Sequence, residues 1–132
     1  MDRTIKIVAA ILTLVVIACL AVFFSGGPAQ PGTVPGLTPI YYFYGEECPH
    51  CHNIEPFMHN LTQKYPDADI QILEVWHNQT NQGIYNQVNA AAGISSPPGV
   101  PEVVIGQTVL VGERDIPAKL EGLVQDYLKK KP

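Results

Sequence analysis

The chain has few cysteines and no excess of positive charge. Its 132 residues include three cysteines, at positions 19, 48 and 51, which is too few for a small fold held together by several disulfides. The formal net charge is −4 and no basic stripe is present, so nucleic acid is not expected as a partner. No internal repeat or P-loop motif is present either. The length is that of one domain.

The longest apolar run lies at the N-terminus. Residues 7–24 contain a single non-apolar side chain, and 18 residues are close to the minimum that crosses a bilayer as a helix. Arg3 and Lys6 lie before the run, and the next charged residue is Glu46. The positive-inside rule therefore places the N-terminus in the cytoplasm and the rest of the chain outside it. We expect residues 1–24 to be a single-pass membrane anchor.

Two other interpretations of this run remain open. It could be a cleaved signal peptide, although no A-x-A site precedes Ser25. It could also be a lipoprotein signal that is lipidated at Cys19, although residues 20–24 continue the apolar run after that cysteine. All three interpretations place the following domain outside the cytoplasm, where disulfides form and exchange.

A linker and one folded domain follow the apolar run. Residues 25–38 are rich in glycine and proline and carry no charge, which is typical of a tether. Residues 39–132 form the domain. Its first strand, over residues 39–44, is apolar and aromatic throughout, as is usual for a central strand covered on both faces.

The Cys48-Pro49-His50-Cys51 sequence follows this strand and begins a helix. An apolar face with helical spacing continues from it, at Ile54, Phe57, Met58, Leu61 and Tyr65. Two thiols three residues apart can close a small disulfide and open it again. The free N–H groups and partial positive charge of a helix N-terminus favour a thiolate there. We therefore predict a thiol–disulfide exchange site.

The remaining elements complete a regular order. We predict a strand over residues 69–76, parallel to the first, and a weaker helix over residues 82–92 with Ile84, Val88 and Ala91 inward. Two strands separated only by Gly106-Gln107 form a tight hairpin. A last helix is capped by Asp115 and packs through an apolar face made of Ile116, Leu120, Leu123, Val124, Tyr127 and Leu128. The fold class is α/β, with the order β-α-β-α-β-β-α and a four-stranded mixed sheet between helices.

This order, with the CxxC pair after the first strand and Val100-Pro101 before the hairpin, resembles the thioredoxin-like superfamily. The resemblance implies that Cys48 is the more exposed, nucleophilic thiol and that Cys51, one turn deeper, resolves the mixed disulfide. It also implies a cis Val100–Pro101 peptide bond, with the Val100 backbone binding an extended substrate segment. No cofactor is implied besides the reversible Cys48–Cys51 disulfide.

The sequence around the cysteines is similar to small membrane-anchored thioredoxin-like proteins of prokaryotes. The Pro49-His50 dipeptide is that of the DsbA-like periplasmic oxidases, in which such a histidine favours the thiolate. Three residues depart from the pattern: Tyr42 replaces a buried acid, Glu47 replaces an aromatic residue, and Glu102 follows the proline. The direction of electron flow therefore stays open. The implied partners are thiols and disulfides of exported proteins and a membrane thiol–disulfide carrier.

Two further functions compete with this interpretation. The C-x-x-C-H spacing also fits c-type haem attachment, with His52 as one axial ligand and Met58, His59 or His77 as the other. Copper or zinc carriage through both cysteines, His50 and His52 is the second alternative. Separately, Asn60 and Asn78 begin glycosylation sequons, of which Asn78, in a polar loop, is the better acceptor.

Overall fold

The computed structural model describes residues 39–131, together with Arg3, Ile7 and Val8. The chain divides into two compact units, Met1–Gly32 and Thr33–Pro132, and the second contains the folded domain. The linker, Cys19 and nearly all of the expected anchor lie outside the described residues. Among the residues that are described, none belongs to a helix long and apolar enough to cross a membrane.

The predicted order of elements is confirmed. The chain forms four strands and three long helices over the described domain, in the order β-α-β-α-β-β-α. In chain order they are β1 (Ile40–Tyr44), α1 (Pro49–Lys64), β2 (Ile70–Glu74), α2 (Gln79–Ala91), β3 (Glu102–Ile105), β4 (Thr108–Val111) and α3 (Gly112–Lys130).

The sheet places the end of β1 between two neighbouring chain segments. Its strand order is β2-β1-β3-β4, with β1 and β2 parallel, β1 and β3 antiparallel, and β3 and β4 joined as a hairpin. Gly106 has a φ of +59° in the hairpin turn, which glycine adopts without the strain of a β-carbon. Tyr44 pairs with Glu74 and Phe43 with Glu102, so the segment after β2 and the segment before β3 flank the CxxC turn on opposite sides.

Each face of the sheet has its own hydrophobic core. Successive strand residues point to opposite faces, so Tyr42 lies in one core and Phe43 in the other. The first core packs α1 and α3 against the sheet, through Ile54, Met58, Leu61, Ile116, Leu120 and Val124. The second packs α2 against the other face, through Val75, Tyr85 and Val104.

The second helix begins earlier than predicted. It starts at Gln79 because the Asn78 side chain caps it, with Oδ1 accepting the N–H of Asn81 at 3.1 Å. Asn78 is thus the last residue of the segment before the helix, and its side chain is engaged as the cap. The prediction that Ala91 faces inward was wrong: Ala91 is exposed, and the two buried positions of α2 are Tyr85 and Asn89.

The last helix also begins earlier than predicted. It starts at Gly112, directly after the last residue of β4, and no side chain caps it. Asp115 is therefore not the cap. It lies in the first turn, where its charge is favourable to the helix dipole. The predicted apolar face is confirmed, because Ile116, Leu120 and Val124 are fully buried.

Candidate active site

Cys48 occupies the N-cap position of α1. Its backbone is extended, and its sulfur accepts the N–H of Cys51 at 3.4 Å. Its own N–H donates to the carbonyl of Gly45 at 3.1 Å, which closes the turn between β1 and the helix. Pro49 takes the first helical position, where its missing N–H costs nothing. The Cys48 sulfur therefore lies where a helix N-terminus stabilises negative charge.

Both cysteines are buried, which corrects the expectation that Cys48 is the more exposed. Cys48 is 2% exposed and Cys51 is 4% exposed. The reason is a long-range contact: the Cys48 thiol donates to the carbonyl oxygen of Val100, with sulfur and oxygen 3.7 Å apart. Neither cysteine is in a disulfide in this structure. Exposure therefore does not distinguish the two thiols.

The two thiols differ instead in their electrostatic environment. Burial, and then the hydrogen bond and charge of Cys48, raise the pKa of Cys51 to about 12. Cys51 therefore stays protonated at neutral pH as long as Cys48 is not bonded to another sulfur. Tyr42, which replaces the acid expected from the resemblance, is buried in the first core, where the charges of both cysteines act on it. Burial and then the two cysteines raise its pKa, so its hydroxyl stays neutral and cannot take a proton from Cys51 as a carboxylate could.

The segment over Cys48 contains the expected cis peptide bond. Val100–Pro101 is cis, as the resemblance to the thioredoxin-like superfamily implied. Pro101 is fully buried, and its carbonyl accepts the N–H of Gly112, at the start of α3, at 2.9 Å. Gly99, just before, has a φ of +108°, which a residue with a β-carbon rarely adopts. The Val100 carbonyl is held at the active site by this fixed segment.

A carboxylate on α3 faces His50. His50 Nδ1 lies 3.2 Å from Glu113 Oε2, and the Asn53 side chain donates to the same oxygen at 2.6 Å. These contacts, first that of Asn53 and then that of His50, hold the pKa of Glu113 below its usual value. Glu113 therefore supplies a carboxylate partner for the His50 ring on the α3 side of the site.

Glu47, next to Cys48, is paired with a histidine. His77 Nε2 lies 2.8 Å from both carboxylate oxygens of Glu47. This hydrogen bond lowers the pKa of Glu47 and raises that of His77. A protonated His77 offsets the charge of Glu47, so the carboxylate disfavours a neighbouring thiolate less than the sequence implied. His77 comes from the segment after β2, so the pairing was not visible in the local sequence.

The family of the chain follows from a comparison with known proteins. The thioredoxin family model matches residues 38–110, more than half of the chain. The chain belongs to the thioredoxin family. A thioredoxin fold that carries a CxxC pair is that of a thiol–disulfide oxidoreductase, with protein thiols and disulfides as substrates. No curated protein matches the chain.

Solved glutaredoxin structures are similar to this thioredoxin-family chain. The glutaredoxin of Archaeoglobus fulgidus is 21% identical, with a TM-score of 0.46 over 75% of this chain and 99% of its own. Glutaredoxin C1 of Populus tremula x tremuloides is 18% identical, with a TM-score of 0.45 over 70% and 80%. A dithiolic glutaredoxin of Trypanosoma brucei brucei is 22% identical, with a TM-score of 0.45 over 76% and 98%.

Trp76 lies at the CxxC turn of this thioredoxin domain, where the sequence did not predict it. It was predicted to lie in β2, but the strand ends at Glu74 and the Trp76 ring lies against Gly45, at the CxxC turn. A β-carbon at Gly45 would overlap this ring, so only glycine fits there. The indole is 51% exposed. An exposed aromatic ring therefore lies on one side of the CxxC turn and Val100 on the other.

Of the ligands considered for haem, Met58 and His77 are engaged elsewhere in the structure. His52 lies 3.6 Å from Glu55, one turn further along α1. Met58 is buried in the first core, and His77 is bound to Glu47, so neither faces His52 across an open site. Within residues 39–131, no three histidine, cysteine or acidic side chains are grouped as metal ligands would be.

Proposed function

We propose that this protein exchanges disulfides with exported proteins outside the cytoplasm, tethered to the membrane through residues 1–24. The observation that carries the chemistry is the arrangement of the two thiols. Cys48 caps a helix N-terminus, and Cys51, one turn later, is kept protonated by burial and by Cys48. The apolar N-terminal run and the glycine- and proline-rich linker support the tether.

The reaction passes through a mixed disulfide. The Cys48 thiolate attacks one sulfur of a partner disulfide. A bond forms between Cys48 and that sulfur, and the second partner sulfur leaves as a thiolate that takes up a proton. Cys51 then loses its proton and attacks the Cys48 sulfur, which releases the first partner sulfur as a thiol. The partner gains two electrons, and the Cys48–Cys51 disulfide remains. Oxidation of a partner dithiol is the reverse sequence.

The environment of Cys51 changes at the step where it must react. The hydrogen bond and charge of Cys48 both contribute to the raised pKa of Cys51. Once Cys48 is bonded to a partner sulfur it carries no charge, so that contribution is lost and Cys51 ionises more readily. Cys51 is therefore a poor nucleophile before the mixed disulfide forms and a better one after it has formed.

The surroundings of the pair fit an extended polypeptide. The Val100 backbone supplies polar groups on one side of the turn, and Trp76 supplies an exposed ring on the other. Pro49 and His50, the residues between the cysteines, are exposed on the first turn of α1. The direction of electron flow is set by the potential of the Cys48–Cys51 couple relative to a membrane thiol–disulfide carrier.

Trapping of partners tests this function. Cys51→Ser should accumulate mixed disulfides with exported proteins, because Cys48 still attacks and no thiol resolves the product. Cys48→Ser should accumulate few or none. Adducts are counted on non-reducing gels after acid quenching and identified by mass spectrometry. Equal accumulation by the two variants, or none by either, would contradict the assigned roles.

A further inference from the structure

A fully buried carboxyl group follows the cis-proline. Glu102 is the first residue of β3, and its side chain has no exposed surface. No ion pair of residues 39–131 includes it. Burial therefore raises its pKa. A buried ionisable group without a cationic partner is costly, so its presence here calls for a compensating role.

Glu102 belongs to a set of hydrogen-bonded side chains that reaches the loop before the cis-proline. Asn89 Nδ2 donates to Glu102 Oε1 at 2.7 Å and to the Tyr85 carbonyl at 3.0 Å. The Tyr85 hydroxyl donates to Glu102 Oε2 at 3.4 Å and accepts the N–H of Gly99 at 3.1 Å. We call Tyr85, Asn89 and Glu102 the Glu102 network.

The network lies at a position where apolar packing would be less costly. The face of α2 towards the sheet is otherwise apolar, with Ile84 and Val88 packed on the second core. Asn89 Oδ1 is buried and has no hydrogen-bond partner within the described residues, which is a further cost. In return, the network fixes the N–H of Gly99, which comes one residue before the Val100 carbonyl that contacts the Cys48 sulfur.

We propose that the Glu102 network positions residues 99–101 over Cys48, and so sets both access to the Cys48 sulfur and the binding of an extended partner segment. The proposal rests on the proposed function for its second part. Tyr85 and Glu102 are positioning residues, because they act through the Gly99 and Val100 backbone and do not contact the sulfur. If residues 99–101 are held less firmly, a small reagent should reach the Cys48 sulfur faster, whereas a polypeptide should bind more weakly.

Tyr85→Phe tests the proposal, since it removes the hydroxyl that joins Gly99 to Glu102. In a Cys51→Ser background, alkylation of Cys48 by iodoacetamide should become about two- to tenfold faster, the factor that one hydrogen bond contributes. With both cysteines present, the KM for a peptide disulfide should rise by a similar factor. Glu102→Gln keeps the shape and weakens the bond from Tyr85, so it should shift both quantities the same way by less.

Tyr65→Phe is the matched control. Its hydroxyl also makes two hydrogen bonds, to Glu121 and Gln125 at 2.8 Å each, but at the far end of α1. It should leave both quantities unchanged. Unchanged alkylation and KM in Tyr85→Phe, or the same changes in Tyr65→Phe, would overturn the proposal. Failure of the proposed function is distinguishable: the unsubstituted protein would not exchange with the peptide, while alkylation of Cys48 would still respond to Tyr85→Phe.

Discussion

Alkylation of the reduced, folded protein at pH 8 should be about fiftyfold slower at Cys51 than at an ordinary thiol, and slower than at Cys48 as well. A thiol of pKa about 12 is about one part in 10⁴ thiolate at this pH, whereas an ordinary thiol is about one quarter thiolate. A more basic thiolate is intrinsically more nucleophilic, and this raises the rate constant of the Cys51 thiolate by roughly fortyfold. The ionisation effect is larger, so it decides the order of reaction. Access does not explain the difference, because both sulfurs are almost equally buried.

The measurement is a time course with iodoacetamide, in which peptide mapping separates the labels at Cys19, Cys48 and Cys51. The same time course in concentrated urea is the control, since unfolding removes the burial and both active-site thiols should then react at comparable rates. The rate at Cys51 should keep rising above pH 9, because its thiolate fraction is still increasing there. Equal labelling of Cys48 and Cys51 in the folded protein would contradict the assigned roles.

Phe43→Ala should lower the free energy of unfolding by about 3–5 kcal/mol. Phe43 is fully buried at the centre of the sheet, and its ring meets that of Tyr85 edge-on with centroids 4.9 Å apart. Truncation removes this contact and leaves a cavity between β1 and α2. For a domain of about 100 residues the loss corresponds to a melting temperature lower by about 12 °C or more. Urea denaturation of the reduced protein measures it.

Ile72→Ala is the control for this loss. Ile72 lies on the edge strand β2 and is 48% exposed, so its truncation removes little buried surface and should cost less than about 1 kcal/mol. If the two variants lost the same free energy of unfolding, Phe43 would not be the centre of the second core.

Local patterns in the sequence were sufficient for the fold. The helical spacing of Ile116, Leu120 and Val124 predicted the buried face of α3, and the two residues Gly106-Gln107 predicted the hairpin. Both signals operate over a few residues. Helix starts were less accurate where the signal was weak. Asn78 is a standard cap that could have been recognised, whereas α3 has no capping side chain at all.

The site depends more on contacts between distant residues, which local patterns do not predict; the place of Val100 at the cysteine pair was expected only from the resemblance, and the burial of Cys48 was not expected. Cys48 is buried because of Val100, 52 residues later in the chain. Glu102 and Asn89 are polar residues in buried positions, and polarity by itself suggests exposure. One signal was available for Asn89: it lies four residues after Tyr85, and thus on the same face of α2.

The central claim is that Cys48 and Cys51 form a reversible two-electron couple, and equilibration with glutathione buffers tests it most directly. We predict a single transition, in which the disulfide-to-dithiol ratio changes tenfold for each change of about 30 mV in the potential of the buffer. With His50 beside the pair, the midpoint should lie above the value of about −270 mV for thioredoxin. Alkylation and mass measurement count the dithiol form at each ratio. If no buffer produced a Cys48–Cys51 disulfide, the result would contradict the account.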